Sequence, residues 1–316
     1  MEILAYAAFF LTVAMTYATI CLGLNVQWGQ TGLFNVGVAA FVGLGAYVSA
    51  ILTTPEATGR IGGFGLPIAA GWLGAAAAGG VLALLVGALT IRLRSDYLAI
   101  ATFGVAVALQ LVFQNAEPLT GGAFGIGFIP RPFAALQREA LAFALTNLAL
   151  SGAVVLALYL ALERLARSPW GRALRAVRED ETAAESLGKS PLRLRLEAFV
   201  LGGMVMGLAG AVQAHFIGFI APANYLPALT FQVWAMLILG GSGNNRGAIL
   251  GAVVVWAIWA ATAALIAQLV PAGEQARASS LQLVAIGVAL CAILLWRPQG
   301  LLPEHRAISR HLSRRP

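Results

Sequence analysis

The sequence is poor in charged residues and in cysteine. Charged side chains make up 10% of its 316 residues, while apolar residues make up 59%. A typical soluble domain has roughly 25% charged residues, so this composition excludes a water-soluble globular protein. The two cysteines, Cys21 and Cys291, both lie in apolar runs and far from any metal-ligand spacing. The pattern therefore indicates neither a disulfide scaffold nor a zinc site.

The chain also has few ionisable residues inside its apolar runs, where they would mark a proton relay or an ion path. Glu197 stands at the start of one run and His215 about two-thirds along it. We expect both near an interface, with a pathway role as the alternative for His215. Residues 188–190 read Gly-Lys-Ser, like the end of a phosphate-binding loop, but Ala183 stands where the opening glycine belongs. The sequence thus predicts neither an ion-driven carrier nor a nucleotide site.

Long apolar runs are what the sequence has in abundance. A transmembrane helix needs about 20 consecutive, mostly apolar residues. We predict an all-α polytopic membrane protein, a bundle of about eight or nine transmembrane helices that forms one domain over 1–316. The first run is expected to be a retained helix, and the 14-residue run at 227–240 is short enough to re-enter rather than span. The runs lie near 3–24, 34–52, 66–90, 97–115, 141–162, 197–220, 227–240, 247–270 and 281–296.

The basic residues predict an orientation. The 163–195 connection holds eight of the 20 Lys+Arg residues, and the 297–316 tail holds five more. The positive-inside rule makes both cytoplasmic. The four candidate helices between them agree, because two segments on one side are joined by an even number of crossings. Tracing back predicts an outside N-terminus and outside loops at 53–65 and 116–140, which leaves 16 of the 20 basic residues inside.

Small and polar residues within the runs indicate a packed bundle. The 36 glycines cluster, for example at 202–210, and small residues let helix backbones approach closely in lipid. Polar, glycine-rich interruptions at 27–32 and 240–245 predict broken helices, which are common in transporters. Other polar residues are expected to form hydrogen bonds between helices, with lining of a path as the alternative; these are Asn35, Gln110, Gln114, Asn115, Asn147 and Gln213.

The 163–195 connection contains a predicted helix. Ser168 is a good N-cap, Pro169 suits the first turn, and Gly188 suits the stop, so we expect one helix over 169–187. The acidic run 179–181 is flanked by arginines at helical spacing, Arg172, Arg175 and Arg178, and ion pairs on a solvated face are expected. Such a helix either docks on a partner or is a surface linker, and these residues leave both alternatives open.

Residues 171–188 resemble the cytoplasmic coupling segment of LivM-type permeases, the membrane subunits of ATP-binding-cassette (ABC) importers for branched-chain amino acids. The core is similar to the E-A-A-x-x-x-G loop of importer permeases, with Thr182 in place of the glutamate and Ala183, Ala184 and Gly188 on motif positions. The resemblance implies that this segment contacts an ATPase. The residues that it assigns to the coupling helix are Arg178, Glu179, Asp180, Glu181, Thr182, Ala183, Ala184 and Gly188.

The resemblance covers most of the chain. Residues 23–25, 29–33, 39–41 and 43–47 are similar to the family's N-terminal signature; 94–102 and 119–122 are similar to its middle, and 239–243 and 297–301 to its end. It implies a permease of the bacterial inner membrane that is not an enzyme and needs no cofactor, metal or nucleic acid. The implied partners are a second, LivH-like permease, two ATPase subunits, a periplasmic solute-binding protein and an amino-acid substrate.

The sequence leaves alternatives open for the substrate and for the transport mechanism. The family resemblance implies leucine, isoleucine and valine, while related permeases carry urea, short amides or other amino acids. An ion-coupled secondary carrier, a membrane-embedded enzyme and a structural subunit are the rival classes. A carrier would transport alone on an ion gradient, and an enzyme or a structural subunit would work without ATPase partners.

Overall fold

The structure, a computed structural model, describes residues 2–56, 60–93, 95–296 and 299–304. In these ranges the chain is helical apart from short connections, and its only β-type pairing is a bridge between Ile126 and Ile220. The described α-helices are α1 Glu2–Thr31, α2 Val38–Thr53, α3 Ile68–Thr90, α4 Ser95–Asn115, α5 Glu117–Thr120, α6 Ala140–Arg167, α7 Pro169–Glu179, α8 Glu181–Ser186, α9 Pro191–Ile217, α10 Pro227–Gly240, α11 Asn245–Leu269 and α12 Gln275–Trp296.

Six of the described helices are long and apolar enough to cross a membrane, namely α1, α3, α4, α6, α9 and α11. Helices α2 and α10 are apolar but have only 16 and 14 residues. At 1.5 Å per residue they span about 24 and 21 Å, less than the ~30 Å of a hydrocarbon core. The prediction of an all-α polytopic membrane protein is confirmed. The predicted count of eight or nine spans is not confirmed by the six helices of spanning length that the described residues contain.

Glycines bring the central helices α2, α3 and α9 into backbone contact. A Cβ atom on Gly45 of α2 would lie closer than 3.0 Å to the carbonyl oxygen of Gly207 in α9. The same holds for Gly210 against Val42, and for Gly79 of α3 against the Gly203 carbonyl oxygen. The expected role of the glycine clusters as close-packing surfaces is therefore observed.

The chain breaks between α1 and α2. Helix α1 continues through Thr31, so the predicted break at 27–32 is displaced to residues 32–37, beginning at Gly32 with φ +72°. Side chains of other helices accept hydrogen bonds from the backbone N–H groups that the break leaves without a helix partner. Val36 N–H donates to Thr102 Oγ1 at 3.0 Å, and Ala39 N–H donates to Thr230 Oγ1 at 3.0 Å. Non-helical backbone is tolerated at membrane depth when protein surrounds it in this way.

A second break follows α9 and repeats the first in inverted form. Gly218, with φ +79°, ends α9, and residues 219–226 lead without an α-helix into the short helix α10. The ring of Phe9, near the start of α1, lies 4.9 Å from that of Phe216, at the end of α9, so the two long helices are antiparallel. Each is followed by a left-handed glycine, a break and a short helix. Such inverted repeats are typical of transporters.

The bundle has two distinct ends. The Arg178 end holds the end of α1, helices α7 and α8, and residues 241–246, whereas the His215 end holds the start of α1 and the end of α9. His215, expected near an interface, is fully buried: its ring nitrogens lie 2.8 Å from Ser49 Oγ and 2.7 Å from the Pro130 carbonyl oxygen. Glu197 lies near the start of α9 and accepts from Trp170 Nε1 at 2.9 Å. Of the predicted 297–316 tail, the structure describes 299–304.

Candidate functional site

Helix α7 lies flat against the Arg178 end of the bundle. Pro169 occupies its first turn, and Gly171, Leu174 and Val177 are buried at the three- to four-residue spacing of one helix face. Ser168 occupies the predicted N-cap position, but its hydroxyl makes no capping bond and donates instead to the Leu165 carbonyl oxygen at 2.7 Å. Packing of the apolar face, and not a side-chain cap, therefore positions α7.

The single helix predicted over 169–187 is wrong, because the chain breaks at Asp180. Asp180 has extended backbone angles, and its carboxylate accepts the Ala183 N–H at 2.9 Å, so it caps a second helix, α8. A short acidic side chain at this position competes with the helix by bonding the backbone locally. The predicted stop at Gly188 is confirmed: its φ is +74°, and the Lys189 N–H donates to the Ala184 carbonyl oxygen at 3.1 Å.

Helix α8 turns most of its surface away from the bundle. Ala184 is buried with 2% exposure, and it seats α8 on its own chain. Leu187, just beyond the helix, is 79% exposed, which is unusual for a large apolar side chain that follows a polar helix. We call the exposed set the α8 surface; it consists of Thr182, Ala183, Glu185, Ser186 and Leu187.

The expected ion pairs between Arg172, Arg175 or Arg178 and the acidic run 179–181 are not formed in the described structure. Glu181 pairs with Arg195 at 2.9 Å, and Arg178 pairs with Glu304 at 2.8 Å. The arginines of α7 point along the bundle end, away from the run, because the apolar face of α7 fixes their direction. Arg175 donates to the Ala166 carbonyl oxygen at 3.1 Å and to Gln30 Oε1 at 3.3 Å, while Glu179 is exposed.

A buried polar chain lies beneath α7. Asn25 accepts the Gly243 N–H at 2.8 Å and donates to Asn245 Oδ1 at 2.9 Å. Asn245 in turn donates to Glu163 Oε2 at 3.0 Å. Gly29 permits this contact, since a Cβ atom there would lie 2.5 Å from the Gly243 nitrogen. The chain fastens α1, α6 and the start of α11 to one another and explains why α1 stays helical past residue 24.

A cavity of about 860 Å³ opens between α7 and this polar chain. Its walls carry arginines and glutamates together with amide side chains, so it is a polar recess and not an apolar ligand pocket. Among the described residues, no group of three or more His, Cys, Asp or Glu side chains is placed to hold a metal ion. The lining residues are Gln30, Glu163, Ala166, Arg167, Arg172, Arg175, Ala176, Arg178, Glu179, Gly243, Asn244, Asn245 and Glu304.

The sequence did not single out three members of this site. Asn25, Asn245 and Glu304 are distant in sequence from α7, and only Asn25 lies in a motif that carried the family resemblance. Of the polar residues expected to bond between helices, Asn35 donates to Gln27 Oε1 at 2.7 Å across the first break. Asn147 bonds within its own helix instead, donating to the Phe143 carbonyl oxygen.

The fold and this site define a multi-pass membrane protein with transporter-type broken helices. The family described as "Branched-chain amino acid transport system / permease component" matches residues 6–294, and the chain belongs to this family. The prediction of a transport subunit that is not an enzyme is thereby confirmed.

Three relatives illustrate the similarity. The chain is 35% identical to the high-affinity branched-chain amino acid transport system permease protein LivM of Escherichia coli K12, over 93% of this chain and 69% of the relative. It is 27% identical to the probable branched-chain amino acid transport permease protein LivM of Methanocaldococcus jannaschii, over 95% and 94%. It is also 27% identical to LivH of Salmonella typhimurium, a permease protein of the same kind of system, over 77% and 80%. The family therefore includes two different permeases of one transport system.

Proposed function

We propose that this chain is one of two dissimilar permease subunits of a binding-protein-dependent ABC importer, and that it couples ATP hydrolysis by two partner ATPases to inward transport. The observation that carries the proposal is the α8 surface: an exposed short helix, followed by the exposed Leu187, is joined through Asp180 to α7, and α7 lies over a polar chain that joins α1, α6 and α11. A partner that moves α8 therefore acts on the bundle through α7. The residues proposed for coupling are Arg178, Glu179, Asp180, Glu181, Thr182, Ala183, Ala184 and Gly188.

The proposed substrates are leucine, isoleucine and valine, delivered by a periplasmic solute-binding protein. The names of the E. coli and archaeal relatives support this class of substrate. The alternative is a related importer for urea, short amides or other amino acids. The remaining proposed partners are a LivH-like permease and the lipid of a bacterial inner membrane, and the whole chain 1–316 forms one permease domain with a basic cytoplasmic tail at 297–316.

The positions of the acidic side chains favour an ATP-driven mechanism over an ion-coupled carrier. The six helices of spanning length contain only three acidic residues within the described spans: Asp96, Glu163 and Glu197. Each lies within seven residues of a helix end. Acidic groups within the membrane mark the proton and ion pathways of carriers, and these three lie near helix ends instead, so the energy is proposed to come through the α8 surface.

The Arg178 end is proposed to face the cytoplasm, with the N-terminus outside. Residue 61 in the 53–65 loop and residue 180 between α7 and α8 are exposed on opposite sides in this arrangement. In a Cys291→Ser background, where the remaining Cys21 is fully buried, an impermeant maleimide applied to intact cells should label Ile61→Cys. Asp180→Cys should react only after lysis. Labelling of Asp180→Cys in intact cells would show the opposite orientation.

The function is tested by leucine uptake in cells that lack their own branched-chain amino acid import. Cells expressing this chain with the second permease, the ATPases and the binding protein should accumulate radiolabelled leucine, and omission of this chain should reduce uptake to background. Competition by excess isoleucine, valine, urea and acetamide then distinguishes the substrate classes. Competition by urea or acetamide alone would support the related importer.

A further inference from the structure

Four separate parts of the chain meet at Arg178. Its guanidinium donates to the carbonyl oxygen of Gly29, in the last turn of α1, and pairs with the Glu304 carboxylate at 2.8 Å. Glu304 in turn packs on Gly243, where an added Cβ atom would lie 2.8 Å from the glutamate carboxylate. One side chain of α7 therefore contacts α1 directly, and through Glu304 it reaches the loop between α10 and α11.

The segment that carries Glu304 is itself tied to that loop. The backbone N–H groups of Leu301 and Leu302 donate to the carbonyl oxygens of Leu239 and Gly240 at 2.8 and 2.9 Å. Asn244 Nδ2 donates to the Pro303 carbonyl oxygen at 3.2 Å. Residues 301–304 therefore form a strap bound to the end of α10, and a force applied to Glu304 is passed to the loop between α10 and α11.

The Arg178–Glu304 pair is more buried than the Arg193–Glu197 pair of the same surface. Its side chains are 23% and 26% exposed, whereas Arg193 and Glu197 are 80% and 38% exposed. Exposed pairs contribute little because water screens them, and partial burial strengthens the attraction between charges. Arg193 and Glu197 also lie four residues apart on one helix, so this ion pair itself does not join two elements. Arg178 joins elements far apart in sequence, which is the arrangement required to transmit motion.

Building on the proposed function, we infer that Arg178 is a positioning residue that transmits displacement of the α8 surface to α1 and, through Glu304 and the 301–304 strap, to the loop between α10 and α11. Only Asp180 separates α7 from α8, so movement of one is passed to the other. Arg178 reaches α1, which leads through the break at 32–37 into the short helix α2, and the loop that follows the short helix α10, which itself starts after the break at 219–226. Arg178 is thus placed to link ATPase movement to the broken helices without itself contacting an ATPase or the substrate.

The test uses the complete importer in proteoliposomes, with the ratio of leucine transported to ATP hydrolysed as the readout. Arg178→Met keeps the side-chain length but removes the charge and all donors. We expect ATPase subunits to co-purify at wild-type ratio and to hydrolyse ATP, while leucine per ATP falls roughly fivefold, within the range measured for residues that couple distant sites. Arg178→Lys, which keeps the pair with Glu304, should recover most of the ratio.

Arg193→Met is the matched control, since it removes an arginine from an exposed pair on the same surface, and it should leave the ratio unchanged. If Arg178→Met fails to accumulate, Glu304→Gln replaces it, with the same expected direction and a smaller effect because the bond to Gly29 remains. A wild-type ratio of leucine to ATP in Arg178→Met, or in its replacement, overturns the inference. Loss of the ATPases from the complex also overturns it, because that result would place Arg178 in the docking surface. If the wild-type complex hydrolyses ATP but imports no leucine, the proposed function fails instead.

Discussion

Gly45→Leu is expected to abolish accumulation of folded protein in the membrane. A Cβ atom at this position would lie closer than 3.0 Å to the backbone of Gly207, in α9. A backbone carbonyl cannot rotate away as a side chain can, so α2 and α9 would have to separate. Overpacking of a core costs about 1–3 kcal/mol and occasionally more, and we expect the upper end here. Size-exclusion chromatography of a fluorescent fusion in mild detergent should show loss of most of the monodisperse peak.

Gly152→Leu is the matched control for this prediction. It places the same side chain in the middle of α6, where an added Cβ atom has nothing within 4 Å. Leucine also favours a helix more than glycine does. This variant should therefore give a peak like that of the wild type. Equal peaks for Gly45→Leu and Gly152→Leu would show that the α2–α9 contact is not the close backbone approach described above.

Leu187→Asp is expected to release the ATPase subunits and to reduce leucine uptake at least tenfold. Leu187 is the large apolar side chain of the α8 surface, and it is 79% exposed in the isolated chain. An apolar anchor at the centre of an interface contributes about 2 kcal/mol or more, roughly 30-fold in affinity. A carboxylate at this position would also have to be desolvated when the interface forms. Co-purification of tagged ATPase with this chain, alongside uptake, measures both effects.

The control for Leu187→Asp is Leu66→Asp. Leu66 is an exposed leucine that directly follows the 53–65 loop, far from the α8 surface. This variant should leave both ATPase association and uptake intact. Membrane levels should be normal for both variants, since neither side chain is buried. If Leu187→Asp keeps wild-type association and uptake, α7 and α8 are a surface linker, the alternative that the sequence left open.

Local signals in the sequence predicted the parts of the coupling segment that depend on neighbouring residues. Proline fixes the first turn of α7, and Gly188 adopts the positive φ that ends α8, because both properties belong to the residues themselves. The break at Asp180 was missed because the surrounding residues form an apparently continuous helical pattern, whereas the Asp180 carboxylate accepts the Ala183 N–H and so caps a second helix. Helix α7 follows its buried apolar face, while α8 has only Ala184 to bury.

The junction at Arg178 could not be predicted from spacing. Arg178 and Glu304 are 126 residues apart, and Asn25 and Asn245 are 220 apart. Only the folded bundle brings these pairs together. The start of α2 was predicted too early for a related reason, because the apolar run at 34–52 resembles a full span. In the structure, the backbone N–H groups of residues 36 and 39 donate to threonines of other helices, and α2 begins only at Val38.

The most direct measurement of the central claim is leucine uptake into proteoliposomes that contain this chain with its second permease and ATPases, supplied with leucine-loaded binding protein outside. Trapped ATP should drive uptake, and uptake should be absent without ATP, under a proton or sodium gradient, or with this chain reconstituted alone. Gradient-driven leucine uptake by the isolated chain would contradict the account and identify an ion-coupled carrier.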